Sequence, residues 1–255
     1  MAEIVAVIPA RMNSSRFPGK PLAPLLGRSM LEHVVRRTAA CSLLSEVIVA
    51  TCDQEIVDVV EAFGGQATMT SALHERASDR VAEAVAARSG ADIVVMVQGD
   101  EPMIRPEMIS AAVQPLLDEP QVVCVNLVSM LHTLDEIRDP NTIKVVMDRN
   151  GDALFFSRQP IPSLRGQSFV PGLWHKQVCV IPFRRETLEQ FAALPPAPLE
   201  MAESIDMLRL LEHGIAVRMV PTDVETHAVD TPHDLETVAS MMALDPFTEN
   251  YLALR

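Results

Sequence analysis

The feature that most constrains the fold is a set of apolar runs without polar alternation. Residues 4–8, 47–50 and 93–97 are continuous in apolar side chains. A strand with one wet face alternates, whereas a strand covered on both faces does not. Between these runs lie helix-period stretches at 30–40, 54–63 and 79–87. Strand and helix alternate from the start, which predicts an α/β fold with a parallel, doubly wound sheet. In such a sheet ligands gather at the carboxyl ends of the strands.

The middle of the chain changes character. Strand-like runs crowd together at 122–128, 143–147, 153–156 and 178–181, and a last one follows at 216–220. Pro160, Pro162, Gly166, Pro171 and Gly172 break this stretch into loops. Helical patterns return at 184–194, 203–213 and 232–243, with three prolines stiffening 194–198. The acidic stretch 200–212 reads as a solvated helix face. Three spans are therefore expected: an α/β core over 1–121, a β-rich region over 122–183, and a C-terminal part over 184–255 that completes the core.

Composition narrows the partners. The 255 residues are 48% hydrophobic and 22% charged, enough to build a core. Net charge is −13, so a broad grip on nucleic acid or an anionic membrane is not expected. No apolar run reaches the roughly 18 residues of a membrane span. Residues 1–9 lack a basic leader and run straight into a strand, unlike a signal peptide. Cys41, Cys52, Cys124 and Cys179 are widely spaced without a CxxC pair. They read as buried thiols of a cytoplasmic protein.

The chemistry concentrates at three strand ends. After the first run comes Pro9-Ala10-Arg11-Met12-Asn13-Ser14-Ser15-Arg16-Phe17-Pro18-Gly19-Lys20-Pro21-Leu22. Arg11, Arg16 and Lys20 reverse the local sign in an acidic chain, and phosphate is their natural partner. The loop is neither GxxxxGK[ST] nor GxGxxG, and a plain solvated basic loop is the other reading. The third run ends Val97-Gln98-Gly99-Asp100-Glu101-Pro102. Asp100 there is a candidate Mg²⁺ ligand shared with phosphates, or else a polar strand end. Later, Asp230 precedes Thr231 and Pro232, which are a good N-cap and a good first helical residue. There is no HExxH, no zinc-like spacing and no GxSxG.

These segments, together with Lys144-Val145-Val146, Phe155-Phe156-Ser157-Arg158, Ile161-Pro162, Leu199-Glu200 and Leu211-Glu212-His213-Gly214, resemble the 3-deoxy-manno-octulosonate cytidylyltransferases, or CMP-Kdo synthetases. The likeness runs in order from about residue 4 to 243. It implies a Rossmann-like nucleotidyltransferase sheet with helices on both faces and a β-rich dimerisation region at 122–183. It implies a homodimer that activates the 2-keto sugar acid Kdo with CTP and Mg²⁺ for lipopolysaccharide biosynthesis. By the same resemblance Arg11, Lys20, Asp100 and Asp230 carry catalysis, with Asp100 and Asp230 holding the metal. Ala10, Arg11, Lys20, Ser78, Asp79, Arg80 and Gln98 bind the nucleotide. Gln98, Arg158, Gln177, Glu203 and Asp206 bind the sugar acid.

The chain departs from the family in two places. Glu75-Arg76-Ala77-Ser78-Asp79-Arg80 stands where the family reads Gln-Ser-Gly-Thr-Glu-Arg. Gln177, Asp206 and Met207 stand where it has His, Glu and Gln. The second departure motivates an alternative acceptor, such as an 8-amino-Kdo-like acid. A non-catalytic nucleotide-binding relative is a third reading, and the intact Arg11, Lys20, Asp100 and Asp230 argue against it.

Overall fold

The computed structural model describes residues 2–14, 16–86, 88, 90–164 and 169–252. Ser15, Ala87 at the end of the expected 79–87 helix, and the loop residue Gly166 lie outside the described residues. The chain divides into two compact units, Met1–Ser110 with Thr226–Arg255, and Ala111–Glu225. The expected boundaries, at 121/122 and 183/184, marked where strand-rich sequence begins and ends. Composition registers strand density, whose limits do not coincide with those of either unit.

In the first unit, strands β1 (Ile4–Pro9), β2 (Glu46–Thr51), β3 (Gln66–Met69) and β4 (Ile93–Val97) run parallel in the order β4-β1-β2-β3. Helices α1 (Met30–Ala39), α2 (Gln54–Ala62) and α3 (Ala77–Ala86) alternate with them. Every residue of β1 and β4 is buried, as unbroken apolar runs require. Fully burying each large aliphatic chain contributes about 1.5–3 kcal/mol. The short strand β3 escapes a reading by apolar runs, because Gln66-Ala67-Thr68-Met69 alternates polar with apolar side chains and is partly exposed. The helix Pro106–Asp118 escapes the sequence pattern as well, and it carries Pro115 inside it. A mid-segment proline reads as a breaker.

The C-terminal segment returns to this unit as two helices, Pro232–Ala243 and Pro246–Leu252. The second is fastened by charge. Arg37 on α1 is fully buried, and its Nη2 donates to Asp245 Oδ2 at 2.7 Å. It also donates to Thr248 Oγ1 and to the carbonyls of Met103 and Ile104. Its guanidinium stands 4.9 Å from the Phe247 ring centroid and 5.5 Å from that of Tyr251. Removing one partner of such a pair costs about 3–5 kcal/mol. His33, also buried, bonds Tyr251 Oη and the Leu25 carbonyl, each at 2.6 Å.

In the second unit, β5 (Val125–Met130), β6 (Lys144–Met147), β7 (Ala153–Ser157), β8 (His175–Val178) and β10 (Arg218–Pro221) form one sheet, ordered β10-β5-β8-β6-β7. Only the β10–β5 pair is parallel. The expected strand at 178–181 is two strands, because the chain breaks at Cys179 between β8 and β9 (Val180–Arg184). The expected helix at 203–213 is likewise broken. Pro198–Glu203 ends at Ser204, whose φ of 56° is left-handed, and Met207–Glu212 follows. The acidic stretch is no solvated face. Glu200 is fully buried and takes both Nε and Nη2 of Arg209, at 2.7 and 2.6 Å. Cys41 and Cys124 are buried, while Cys52 and Cys179 are half-buried.

The clasp on Pro246–Leu252 makes stability depend on pH. Burial pushes the His33 imidazole below its ordinary pKa. The unfolded chain therefore takes up this proton first as pH falls below about 6.5. Burial alone would raise Asp245, but the bonds from Arg37 and the Phe247 N–H outweigh it and hold the carboxyl low. Below about pH 4 the unfolded chain again binds the proton first. Both groups act in one direction, so stability is fullest above about pH 7 and falls in two stages. Urea midpoints and amide exchange over 246–252, followed from about pH 8 to 3, should show both stages. A midpoint unchanged between about pH 8 and 5 would refute the His33 stage.

Candidate active site

In the first unit the chain leaves β1 toward β2 on one side and later places β4 on the other. The carboxyl ends of β1 and β4 thus flank a topological switch point, where open α/β sheets bind ligands. A cavity of about 310 Å³ lies there. Close packing of the two strand ends explains Gly99, because a Cβ would stand 2.9 Å from the Pro9 carbonyl oxygen. The Met12 carbonyl accepts from Ser14 N at 3.1 Å and Gly19 N at 3.0 Å, closing the basic loop on itself. Gly19 has φ of 73°, a left-handed turn into the short helix Lys20–Leu22.

The two acids meet one ammonium. Lys20 Nζ lies 2.8 Å from Asp100 Oδ2 and 3.6 Å from Asp230 Oδ1, and donates to the Val229 carbonyl at 2.7 Å. Arg16 Nη2 donates to Asp230 Oδ1 at 2.8 Å. The Val229 N–H donates to the Asp100 carbonyl, tying the acid-bearing segments together. Thr231 caps the following helix in a capping box with Asp234. Burial would lift Asp234, yet bonds from His227, Thr231 and Asp230 hold its carboxyl below the ordinary range. Capping thus falls to Thr231 and Asp234, leaving the Asp230 carboxylate turned to the cations.

The lining carries Arg11, Arg16, Lys20, Arg76 and Arg80 against Glu75, Asp100 and Asp230. The cavity is locally cationic within a chain of net charge −13. That balance suits a polyanion. His74 is also in the lining and bonds Glu83, whose carboxyl is held low chiefly by the Ser71 N–H. Arg80 is buried and donates to Thr70 Oγ1. Among the described residues no group of three or more His, Cys, Asp and Glu could hold a metal. Two carboxylates, Asp100 and Asp230, face one positive charge there. This fits Mg²⁺, a hard ion that commonly takes one or two carboxylates plus phosphates and water.

Of the residues read from the sequence, Ala10, Arg11, Lys20, Arg80, Gln98, Asp100 and Asp230 line this cavity. Ser78 does not, since its hydroxyl is buried toward Met96 Sδ at 3.8 Å. Asp79 is not in the lining either. Arg16, read with Arg11 and Lys20 as a phosphate partner, lines the cavity too. Arg158, Gln177, Glu203 and Asp206 belong to the second unit. There the Glu203 carboxylate accepts from Ser157 Oγ at 2.8 Å and Arg158 N at 2.9 Å. The Arg158 guanidinium donates to the carbonyls of Glu203, Ser204 and Pro140. Gln177 Nε2 donates to Asn126 Oδ1. Asp206 stands at the N-cap of Met207–Glu212. Buried Lys144 donates to the carbonyls of Asp139, Thr142 and Arg158, and burial pulls its pKa down to about 8.

Residues 5–219 match the family model described as cytidylyltransferase. The 3-deoxy-manno-octulosonate cytidylyltransferase of Geobacter metallireducens is 48% identical over 94% of this chain and 98% of its own. That of Solibacter usitatus is 44% identical over 94% of both chains. Among solved structures, CMP:2-keto-3-deoxy-manno-octonic acid synthetase complexed with CTP superposes with a TM-score of 0.87 at 40% identity. It covers 95% of this chain and 99% of its own. A cytidylyltransferase from Leptospira borgpetersenii, at 17% identity and a TM-score of 0.66 over 96% and 88% of the two chains, shares the fold. The chain belongs to the cytidylyltransferases, and among them to the 3-deoxy-manno-octulosonate cytidylyltransferase family.

Proposed function

We propose that this protein transfers the cytidylyl group of CTP to 3-deoxy-D-manno-octulosonate, releasing pyrophosphate, in lipopolysaccharide biosynthesis. The observation that carries the reading is the cationic cavity at the β1/β4 switch point, with two carboxylates facing into its cations. The anomeric hydroxyl oxygen forms a bond to the α-phosphorus. The bond from that phosphorus to the bridging oxygen breaks, and the hydroxyl proton passes to solvent. No protein nucleophile takes part. Arg11, Arg16 and Lys20 bind the triphosphate and stabilise charge on the departing pyrophosphate. Asp100 and Asp230 hold Mg²⁺, which when bound supplies charge neutralisation at the phosphates. Lys20 and Arg16 turn from these acids to the nucleotide as it enters.

A second acceptor, another 2-keto sugar acid, is favoured by one observation. The Gln177 amide N–H is engaged by Asn126, so a polar group that replaces the family's histidine is held within the protein. Pyrophosphate release with CTP and a panel of Kdo, an 8-amino analogue and sialic acid separates the two readings. We also propose a homodimer, supported by the edge strand β7, whose Leu154 is 61% exposed. Light scattering should return twice the 28.0 kDa chain mass. A monomer mass across micromolar concentrations would overturn it.

Asp100→Asn and Asp230→Asn should each lower turnover by about two orders of magnitude or more, with little change in melting temperature. Full activity of either variant at saturating Mg²⁺ would remove that residue from the metal site. Lys20→Ala should weaken CTP about tenfold or more, since a hydrogen bond to a charged group contributes about 1.5–3 kcal/mol. CMP, which lacks the outer phosphates, should be nearly indifferent. Equal losses for CMP and CTP, read by calorimetry, would show that Lys20 does not bind the triphosphate tail.

A further inference from the structure

We infer that Asp53 is a positioning residue for the triphosphate loop, acting through the main chain of Met12. The inference rests on the proposed function for its substrate, and on geometry of its own. Asp53 occupies the N-cap of α2 with extended backbone, φ −111° and ψ 117°. Aspartate at that position ordinarily accepts from the N–H groups of the first turn. Here its side chain makes no capping bond. Among the described residues the first turn is served by the Asp53 main-chain carbonyl, which accepts from Ile56 N at 3.1 Å and Val57 N at 3.3 Å.

The carboxylate turns away from its helix and accepts from Met12 N at 2.7 Å, across 41 positions of sequence. The Cys52 thiol donates to the same oxygen at 3.7 Å. The Asp53 N–H is held by Thr51 Oγ1 at 3.1 Å, which fixes the direction of the residue. Met12 is where the basic loop closes, since its carbonyl accepts from both Ser14 and Gly19. Arg11 precedes that peptide, and Lys20 follows Gly19. One carboxylate at the end of β2 therefore sets where the cations at the end of β1 stand. Asp53 does not line the cavity, so its effect reaches the substrate only through Met12.

Three variants separate this role from capping. Asp53→Ser keeps a good N-cap but loses reach, Asp53→Asn keeps an acceptor oxygen at the same reach, and Asp53→Ala loses both. Asp53→Ser and Asp53→Ala should raise KM for CTP roughly tenfold or more and leave KM for the sugar acid within about twofold. Asp53→Asn should restore KM for CTP toward wild type. Without nucleotide, amide exchange at Met12 and Gly19 should quicken in the Ser and Ala variants and stay near wild type in Asn. Asp53→Ser should melt no lower than wild type; if Asp53→Ala does not fold, the Ser and Asn variants carry the comparison. Equal rises in both KM values, or an unchanged KM for CTP with unchanged exchange in Asp53→Ser, would overturn the assignment. A wild-type protein that neither binds nor turns over CTP defeats the proposed function instead. Exchange at Met12 and Gly19 and affinity for tripolyphosphate then decide the role of Asp53 by the same pattern.

Discussion

The ammonium of Lys20 joins three stretches of chain that sequence keeps far apart. It reaches Asp100 at the end of β4 and both Val229 and Asp230 in the returning C-terminal segment. Without that meeting, three like-signed side chains would crowd the loop after β1, and two carboxylates would face each other. Each cluster is unfavourable alone, and together they neutralise. The site is thus a set of compensated charges held at half-burial, where attraction is stronger than in bulk water and exchange for a ligand is still possible.

The helices and strands of the first unit were legible wherever burial imposed a period. β1, β2 and β4 stand where unbroken apolar runs predicted them, and Pro232–Ala243 begins at its expected cap. β3 and Pro106–Asp118 were not legible, one because it is short, partly wet and only half apolar, the other because Pro115 mimics a stop. Asp230 stands before a helix cap and not at a strand end, whereas the loop cations were visible as a sign reversal after β1 and Asp100 as an acid after β4. Asp53 was not, because an acid before a helix reads first as a cap. Only the direction of its carboxylate distinguishes the two roles.

The second unit resisted the sequence for a different reason. Its stability rests partly on charge taken inside, and a one-dimensional reading assigns charge to the surface. Glu200 and Arg209 lie nine positions apart in a stretch rich in acids, and they are buried against each other. Such a pair contributes little over a well-packed apolar one, but losing one partner leaves an uncompensated ion. Glu203 shows the same inward use of an acid. Read as a sugar-acid ligand, it is bonded to Ser157 and to the main chain of Arg158.

The discontinuity of the first unit has a consequence for biosynthesis. Residues 226–255 belong with residues 1–110, yet the whole of 111–225 is translated between them. At roughly 5–20 residues per second, the ribosome exposes the basic loop and Asp100 many seconds before Asp230 emerges. A nascent chain therefore carries the cations and one acid without the other, and Arg37 without Asp245. Long-range closure of this kind slows folding. It also means that the two carboxylates meet only in chains translated past Asp230, so the nucleotide meets either both acids or one.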